Sequence, residues 1–188
     1  MSFPVYRIEV RRERAMPYGR DGRGERDMRH DPSARSSRSR SCVPRMKVPV
    51  YRVVLRRDRT LRVPRTNVNQ PERAAMVAHA LIGDRPHEHL VALLVNGFGD
   101  IVGATEIATQ GSVSSLGITV RGIFTAAIAH NASAIILAHN HPSGSTRPSA
   151  EDLALTEKAM EAAAILGIPI LDNLIVTMDP DRWASITC

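Results

Sequence analysis

The sequence predicts an α/β fold, a mixed β-sheet flanked by helices, and three observations predict it. Short apolar runs at 90–95 and 134–138 are strand-like, and they alternate with longer segments of helical period such as 150–166. The turn signal Asn96-Gly97-Phe98-Gly99-Asp100 joins two runs as a hairpin, which adds an antiparallel pair to an interleaved order. With 188 residues, the chain is long enough for one domain with a sizeable core and short for two.

Taken in order, the first element is a duplicated one. Pro4-Val5-Tyr6-Arg7-Ile8-Glu9-Val10-Arg11-Arg12-Glu13-Arg14 is echoed by Pro49-Val50-Tyr51-Arg52-Val53-Val54-Leu55-Arg56-Arg57-Asp58-Arg59. Both copies alternate like an edge strand with charged residues outward. Only one copy is expected to dock on the sheet, and the second is nearer the rest of the domain. Met46 stands just before that copy, a place where a shorter translated form would begin. Residues 12–47 are rich in Arg, Ser, Gly and Asp. The string Arg35-Ser36-Ser37-Arg38-Ser39-Arg40-Ser41 has too little apolar area to offset the entropy of ordering, so the segment reads as disordered. The expected organisation is a basic arm at 1–47 and a folded domain at 48–188.

Asn69-Gln70-Pro71-Glu72 opens a helix, with an Asn cap, Pro near its first position and an acid in its first turn. It runs through Ala74, Val77, Ala78 and Leu81 to Gly83. The apolar run 90–95 is a central strand, and 101–109 is its hairpin partner. A Gly/Ser loop follows at 111–117. Residues 122–130 form a helix with Ile123, Phe124, Ala127 and Ile128 inward. The apolar strand from 134, a Pro/Gly/Ser loop, a helix over 150–166 ended by Gly167, and a last strand at 168–176 complete the domain.

Charge is segregated. Residues 1–66 carry nineteen Lys/Arg against seven Asp/Glu, and residues 67–188 carry six against twelve. The net charge of +6 therefore belongs to the N-terminal third. A basic flexible arm can hold phosphate backbones without reading sequence, or simply stay solvated. No run reaches the ~20 apolar residues that cross a bilayer, and the N-terminus has no apolar signal core, so a cytoplasmic location and no membrane partner are expected. Cys42 and Cys188 give no sign of a disulfide framework or a cysteine-bound metal.

The chemistry concentrates in His139-Asn140-His141-Pro142-Ser143-Gly144, followed by Ser149 and Asp152. Side chains alternate along a strand, so His139 and His141 face the same way. Two imidazoles and a carboxylate make a three-ligand zinc site with a fourth position left for water. The Pro142-Ser143-Gly144 turn ends the strand and opens the site at a loop. Ser149-x-x-Asp152 also has the form of a helix cap, and rigid placement at a helix end suits a ligand. Ser149 either caps the helix or donates to an oxyanion. A hydrolytic site needs a base, for which Glu88 and Glu106 are candidates, with Glu88 preferred. His87 and His89 flank Glu88 but lack the rest of a ligand set. Ligand type points to zinc, and the same donors accept iron or manganese.

His139-x-His141-Pro142 with Ser149-x-x-Asp152 and an upstream Glu resembles the JAMM motif of MPN-type zinc metalloproteases. The strings Ala138 to Gly144, Pro148-Ser149-x-Glu151-Asp152-Leu153 and Leu166-Gly167-Ile168-Pro169-Ile170-Leu171-Asp172 are similar to the bacterial RadC branch. The likeness covers roughly residues 48–177, and the chain is similar to short RadC-type proteins that begin with a Tyr-containing strand, here Tyr51 to Arg57, and lack a helix-hairpin-helix domain. It implies an MPN/JAMM, cytidine-deaminase-like sandwich, one zinc ion on His139, His141 and Asp152, Glu88 as the catalytic carboxylate and Ser149 as the oxyanion-stabilising serine. The family usually carries Pro-Arg-Glu where this chain has Val120-Arg121-Gly122, and Asp-His where it has Asp172-Asn173.

Two functions follow as expectations. The first is zinc-dependent hydrolysis of a peptide or isopeptide bond in a protein substrate. The second is a non-catalytic, metal-stabilised module that binds nucleic acid through its basic arm, in keeping with the old DNA-repair label of RadC-type proteins. His-Asn-His does not fit the HNH nucleases, which spread their motif over a longer ββα unit. Oligomeric state is not written in the sequence.

Overall fold

Residues Leu90 to Val95 are buried at every position. Side chains leave a strand alternately on two faces, so a strand with no exposed position must be covered on both. The computed structural model, which describes residues 2–13, 50–63, 67–108 and 120–187, shows the two covers. Its elements are β1 (Ser2–Glu13), β2 (Val50–Arg62), α1 (Pro71–Ala78), β3 (Leu90–Val95), β4 (Ile101–Ala108), α2 (Val120–His130), β5 (Ala134–Asn140), α3 (Ala150–Leu166), β6 (Ile170–Val176) and β7 (Trp183–Ser185). A π-helical turn, His79–Gly83, continues α1. The chain divides into two compact units, Met1–Glu9 with Val53–Cys188, and Val10–Arg52. In the second, residues 10–13 and 50–52 are extended. The site and its scaffold lie in the first.

Among the described residues the sheet has seven strands in the order β2-β1-β4-β3-β5-β6-β7. β3 pairs antiparallel with both β4 and β5, while β5 and β6 are parallel. This is the mixed α/β class that the interleaved pattern and the hairpin predict. On one face Val91, Leu93, Val95, Ile136 and Ala138 pack with Val77, Leu81 and Ile82. On the other, Leu90, Ala92, Leu94, Ile135 and Leu137 pack with Ile123 and Phe124 of α2 and with Ala159 and Ala163 of α3. The same odd and even positions of β5 decide which face each histidine takes.

The duplicated element departs from expectation. Both copies are strands of the sheet, and it is the copy farther from the domain in sequence that takes the inner place. β1 pairs parallel with β4, Val5 opposite Ala104 and Tyr6 opposite Thr105, and β2 lies outside it. Val5 is buried. The Tyr6 ring lies over Gly103, where an added Cβ would come within 2.7 Å of it, so only glycine admits the ring. The two copies are nearly alike in sequence, so strand potential alone does not choose between them.

Three local readings are also corrected. The residue preceding α1 is Gln70, with no side-chain cap bond, rather than Asn69. Asn67 organises that turn instead, accepting from the Asn69 N–H and donating to the Phe98 carbonyl. Ile128 is exposed rather than inward, because Ile123, Phe124, Ala126 and Ala127 already fill the buried stripe of α2. β7, three residues long, is too short for a period-2 pattern to announce it. Most of the basic arm, residues 14–49, and the Gly/Ser loop at 111–117 lie outside the described residues. Among the described residues no helix is long and apolar enough to cross a membrane.

Candidate metal centre

Two strand positions and one helix terminus build the site. His139 sits on the β5 ladder between Leu90 of β3 and Ile175 of β6. One residue past the strand's end, the His141 N–H donates to the Val176 carbonyl at 2.9 Å, so the chain stays in line long enough for both rings to share a face. Ile135 and Leu137 on that face belong to the core under α3. The turn after His141 closes through Gly144, whose N–H donates to the His141 carbonyl and whose φ of 75° favours glycine. It also brings the Ser145 carbonyl to the His141 Nδ1–H at 2.9 Å. A carbonyl only accepts, so the proton is on Nδ1 and the Nε2 lone pair is left for a ligand.

α3 supplies the carboxylate. Ser149 and Asp152 form a capping box: the Asp152 N–H donates to Ser149 Oγ at 3.1 Å, and the Ser149 N–H donates to Asp152 Oδ2 at 2.8 Å. The Ser149 hydroxyl also donates to Oδ2, at 2.6 Å. Ser149 is thus the helix cap in this structure, and the carboxylate is fixed by its own helix start. Asp152 is 3% exposed, an unusual depth for an acid without a partner.

The partners are the two imidazoles. His139 Nε2 and His141 Nε2 are 3.1 Å apart, Asp152 Oδ1 is 3.3 Å from His139 Nε2, and Oδ2 is 3.5 Å from His141 Nε2. Zinc bonds to nitrogen and oxygen are roughly 2.0–2.1 Å, so neighbouring ligands of a tetrahedral ion sit about 3.3 Å apart. The two imidazole nitrogens are close to that spacing, and each has a different oxygen of the Asp152 carboxylate beside it. His139, His141 and Asp152 bring one donor atom each within 4.8 Å of one another, a group that could hold a divalent cation, and all three are buried. Protein supplies three donors at this cluster, the number typical of a reactive zinc site.

In the metal-free protein a proton does part of the cation's work. Burial pushes the Asp152 carboxyl up, but hydrogen bonds from His139 and His141, the His139 charge and the Ser149 hydroxyl outweigh it and hold the group well below the usual carboxylate range. The Asp152 hydrogen bond raises His141; burial opposes this, while the Ser145 carbonyl and the charges of Asp152 and Glu88 add to the rise. The raised His141 stabilises the metal-free fold fully below its ordinary value of 6.5, and that stability goes as pH rises through the folded value. The depressed Asp152 contributes above its ordinary 3.8 and loses this only as pH falls through its lower folded value. Metal needs the neutral imidazole, so zinc affinity should weaken as pH drops below the raised His141 value. Zinc titrations at about pH 6 and about pH 8 check this; equal affinity at both would remove the proton from the site.

Glu88 and Glu106 part company. Glu88 lies in the loop that enters β3, half-buried, and its charge acts on His141. Glu106 instead meets His89 Nδ1 at 2.5 Å, beside Val91 on the opposite face. His89 is thus accounted for outside the cluster, and His87 is exposed. Sequence reasoning missed three supporting residues. Asn173 Nδ2 donates to Thr156 Oγ1 at 2.7 Å, and Thr156 donates to the Asp152 carbonyl at 2.6 Å, so β6 steadies the first turns of α3. Asn140 is the third. A buried amide in an otherwise apolar strand was the available signal.

Comparison with known proteins finds relatives of this chain. The RadC-like JAB domain matches residues 68–187. A UPF0758 protein of Porphyromonas gingivalis is 40% identical over 115 residues, 61% of this chain and 50% of that one. Another, from Picosynechococcus sp., is 39% identical over 112 residues, 60% of this chain and 46% of its own length. One from Staphylococcus aureus is 36% identical over 122 residues, 65% and 55%. The chain spans about half the length of the curated relatives it matches. The match takes in β3 to β7 together with every residue of the His139, His141 and Asp152 cluster, and on that ground the chain belongs to the RadC-like JAB domain family.

Proposed function

We propose that this chain is a zinc-dependent hydrolase of peptide or isopeptide bonds, acting on a protein or peptide substrate in the cytoplasm. The observation that carries the reading is the buried cluster of His139, His141 and Asp152, in which each imidazole Nε2 has an oxygen of the one carboxylate beside it, at 3.3 and 3.5 Å. A zinc ion held there supplies a Lewis acid and lowers the pKa of a water. Glu88, whose charge acts on His141, takes the proton from the attacking water and returns it to the leaving amine. Ser149 is the candidate oxyanion donor. Its hydroxyl donates to Asp152 Oδ2, so donation to an oxyanion requires the hydroxyl to swing away while the Ser149 N–H keeps that oxygen in place.

The experiment is metal-dependent turnover. The full chain, stripped and reloaded with zinc, is offered a panel of peptides and of isopeptide-linked conjugates. Cleavage that appears with zinc and vanishes on chelation supports the reading; a zinc-loaded protein inert across the panel counts against it. Charge segregation favours a second, separate role for the N-terminal third, contact with the phosphate backbone of a nucleic acid.

A further inference from the structure

Glu88 is on a loop, and loops hold catalytic groups loosely unless something fastens them. The antiparallel ladder of β3 and β5 reaches Leu90 opposite His139. The next residues, His89 and Asn140, keep one backbone bond, Asn140 N–H to the His89 carbonyl at 3.3 Å. Beyond that the segment before β3 no longer follows β5, and its polar groups need other partners.

The Asn140 side chain provides them. Its Oδ1 accepts from the His89 N–H at 2.7 Å. Its Nδ2 donates to the Arg85 carbonyl at 3.1 Å and to the His87 carbonyl at 3.0 Å. Both amide hydrogens are used, and the pattern fixes which end is nitrogen. Asn140 is 1% exposed. It lies between the two histidines but on the other face of β5, so it adds nothing to the ligand set. Its three bonds fall on either side of Glu88, on residues 85, 87 and 89. The His89 ring, held by Glu106, fastens the same segment a second time.

We propose that Asn140 is a positioning residue, which ties the Glu88 segment to the strand carrying His139 and His141 and so sets the base against the metal site. This rests on the hydrolase reading for its catalytic consequence but not for its structural one. Arg and Lys would be too long for the pocket and apolar residues would orphan three backbone groups. Aspartate keeps the shape and the bond from His89 but turns two donors into an acceptor facing two carbonyls.

The test uses Asn140→Asp and Asn140→Thr in the full zinc-loaded chain. Threonine is β-branched, suits a strand and folds where aspartate fails to, yet cannot span three backbone groups. Three readouts are taken: zinc stoichiometry, amide hydrogen exchange over 84–89, and kcat with KM. Expected are one zinc per chain, faster exchange in that segment, and kcat lower by ~10–100-fold with KM little changed, as for a misplaced base. In a Glu88→Gln background the same change should lower kcat no further. Unchanged exchange over 84–89 overturns the proposal, as does faster exchange with full kcat. Loss of zinc overturns it too, since Asn140 would then serve the ligand strand. If wild type cleaves nothing, the hydrolase reading fails, while exchange and zinc content still decide the clamp.

Discussion

Glu88→Gln should keep its zinc and lose its turnover. Glutamine has the size of glutamate and cannot accept the proton of the attacking water, so the fall in kcat is expected at ~10²–10⁴-fold, the usual contribution of a positioned general base. Glu88 is outside the ligand triangle, which is why metal content should not follow. Its charge does bear on His141, so the variant's His141 should titrate lower, a change visible by NMR in the metal-free protein. Glu106→Gln makes the control. It takes the charge out of the bond to His89 on the opposite face and weakens it, and any effect should be smaller and come through the Glu88 segment. Full activity in Glu88→Gln, or a deeper loss in Glu106→Gln, would move the base elsewhere.

Asp152→Asn should cost the protein its metal. The substitution removes the carboxylate charge that lies 3.3 Å from one imidazole and 3.5 Å from the other. Changes in groups that only orient a ligand weaken metal binding ~10–100-fold, so loss of the ligand itself should exceed about 100-fold. At a zinc concentration 1,000 times the wild-type Kd, binding stabilises the fold by about 4.1 kcal/mol; a 100-fold weaker site gains about 1.4 kcal/mol. Thermal melts with and without zinc should therefore show a large shift in wild type and a small one in the variant. The metal-free variant should itself be less stable by about 1 kcal/mol, because the capping box loses its carboxylate. A zinc-induced shift equal to wild type would exclude Asp152 as a ligand.

Much of the site was legible because its logic is local. Alternation along β5 places His139 and His141 together, and the Ser149-to-Asp152 spacing marks a helix start. The cap is present, and it fixes the carboxylate beside the histidines, so the cap and the proposed ligand role are compatible in one geometry. The choice of Glu88 over Glu106 was less visible from the residues themselves. Both acids stand near strand ends, and only the fold sets Glu106 against His89 beside Val91 while the Glu88 charge acts on His141. Asn140 was hidden for a similar reason. Its partners are more than fifty residues away, and a single amide in an apolar run says nothing of what it holds. The edge of the sheet was least legible. Two near-identical copies compete for one place, and Tyr6 over Gly103 is a contact between distant segments.

The central claim is that three buried side chains share one cation. Zinc titration of the full chain beside His139→Ala, followed by calorimetry and elemental analysis, meets it most directly. One zinc bound per wild-type chain and none in His139→Ala is the predicted result. No uptake by the wild type, or equal uptake by the variant, would contradict it.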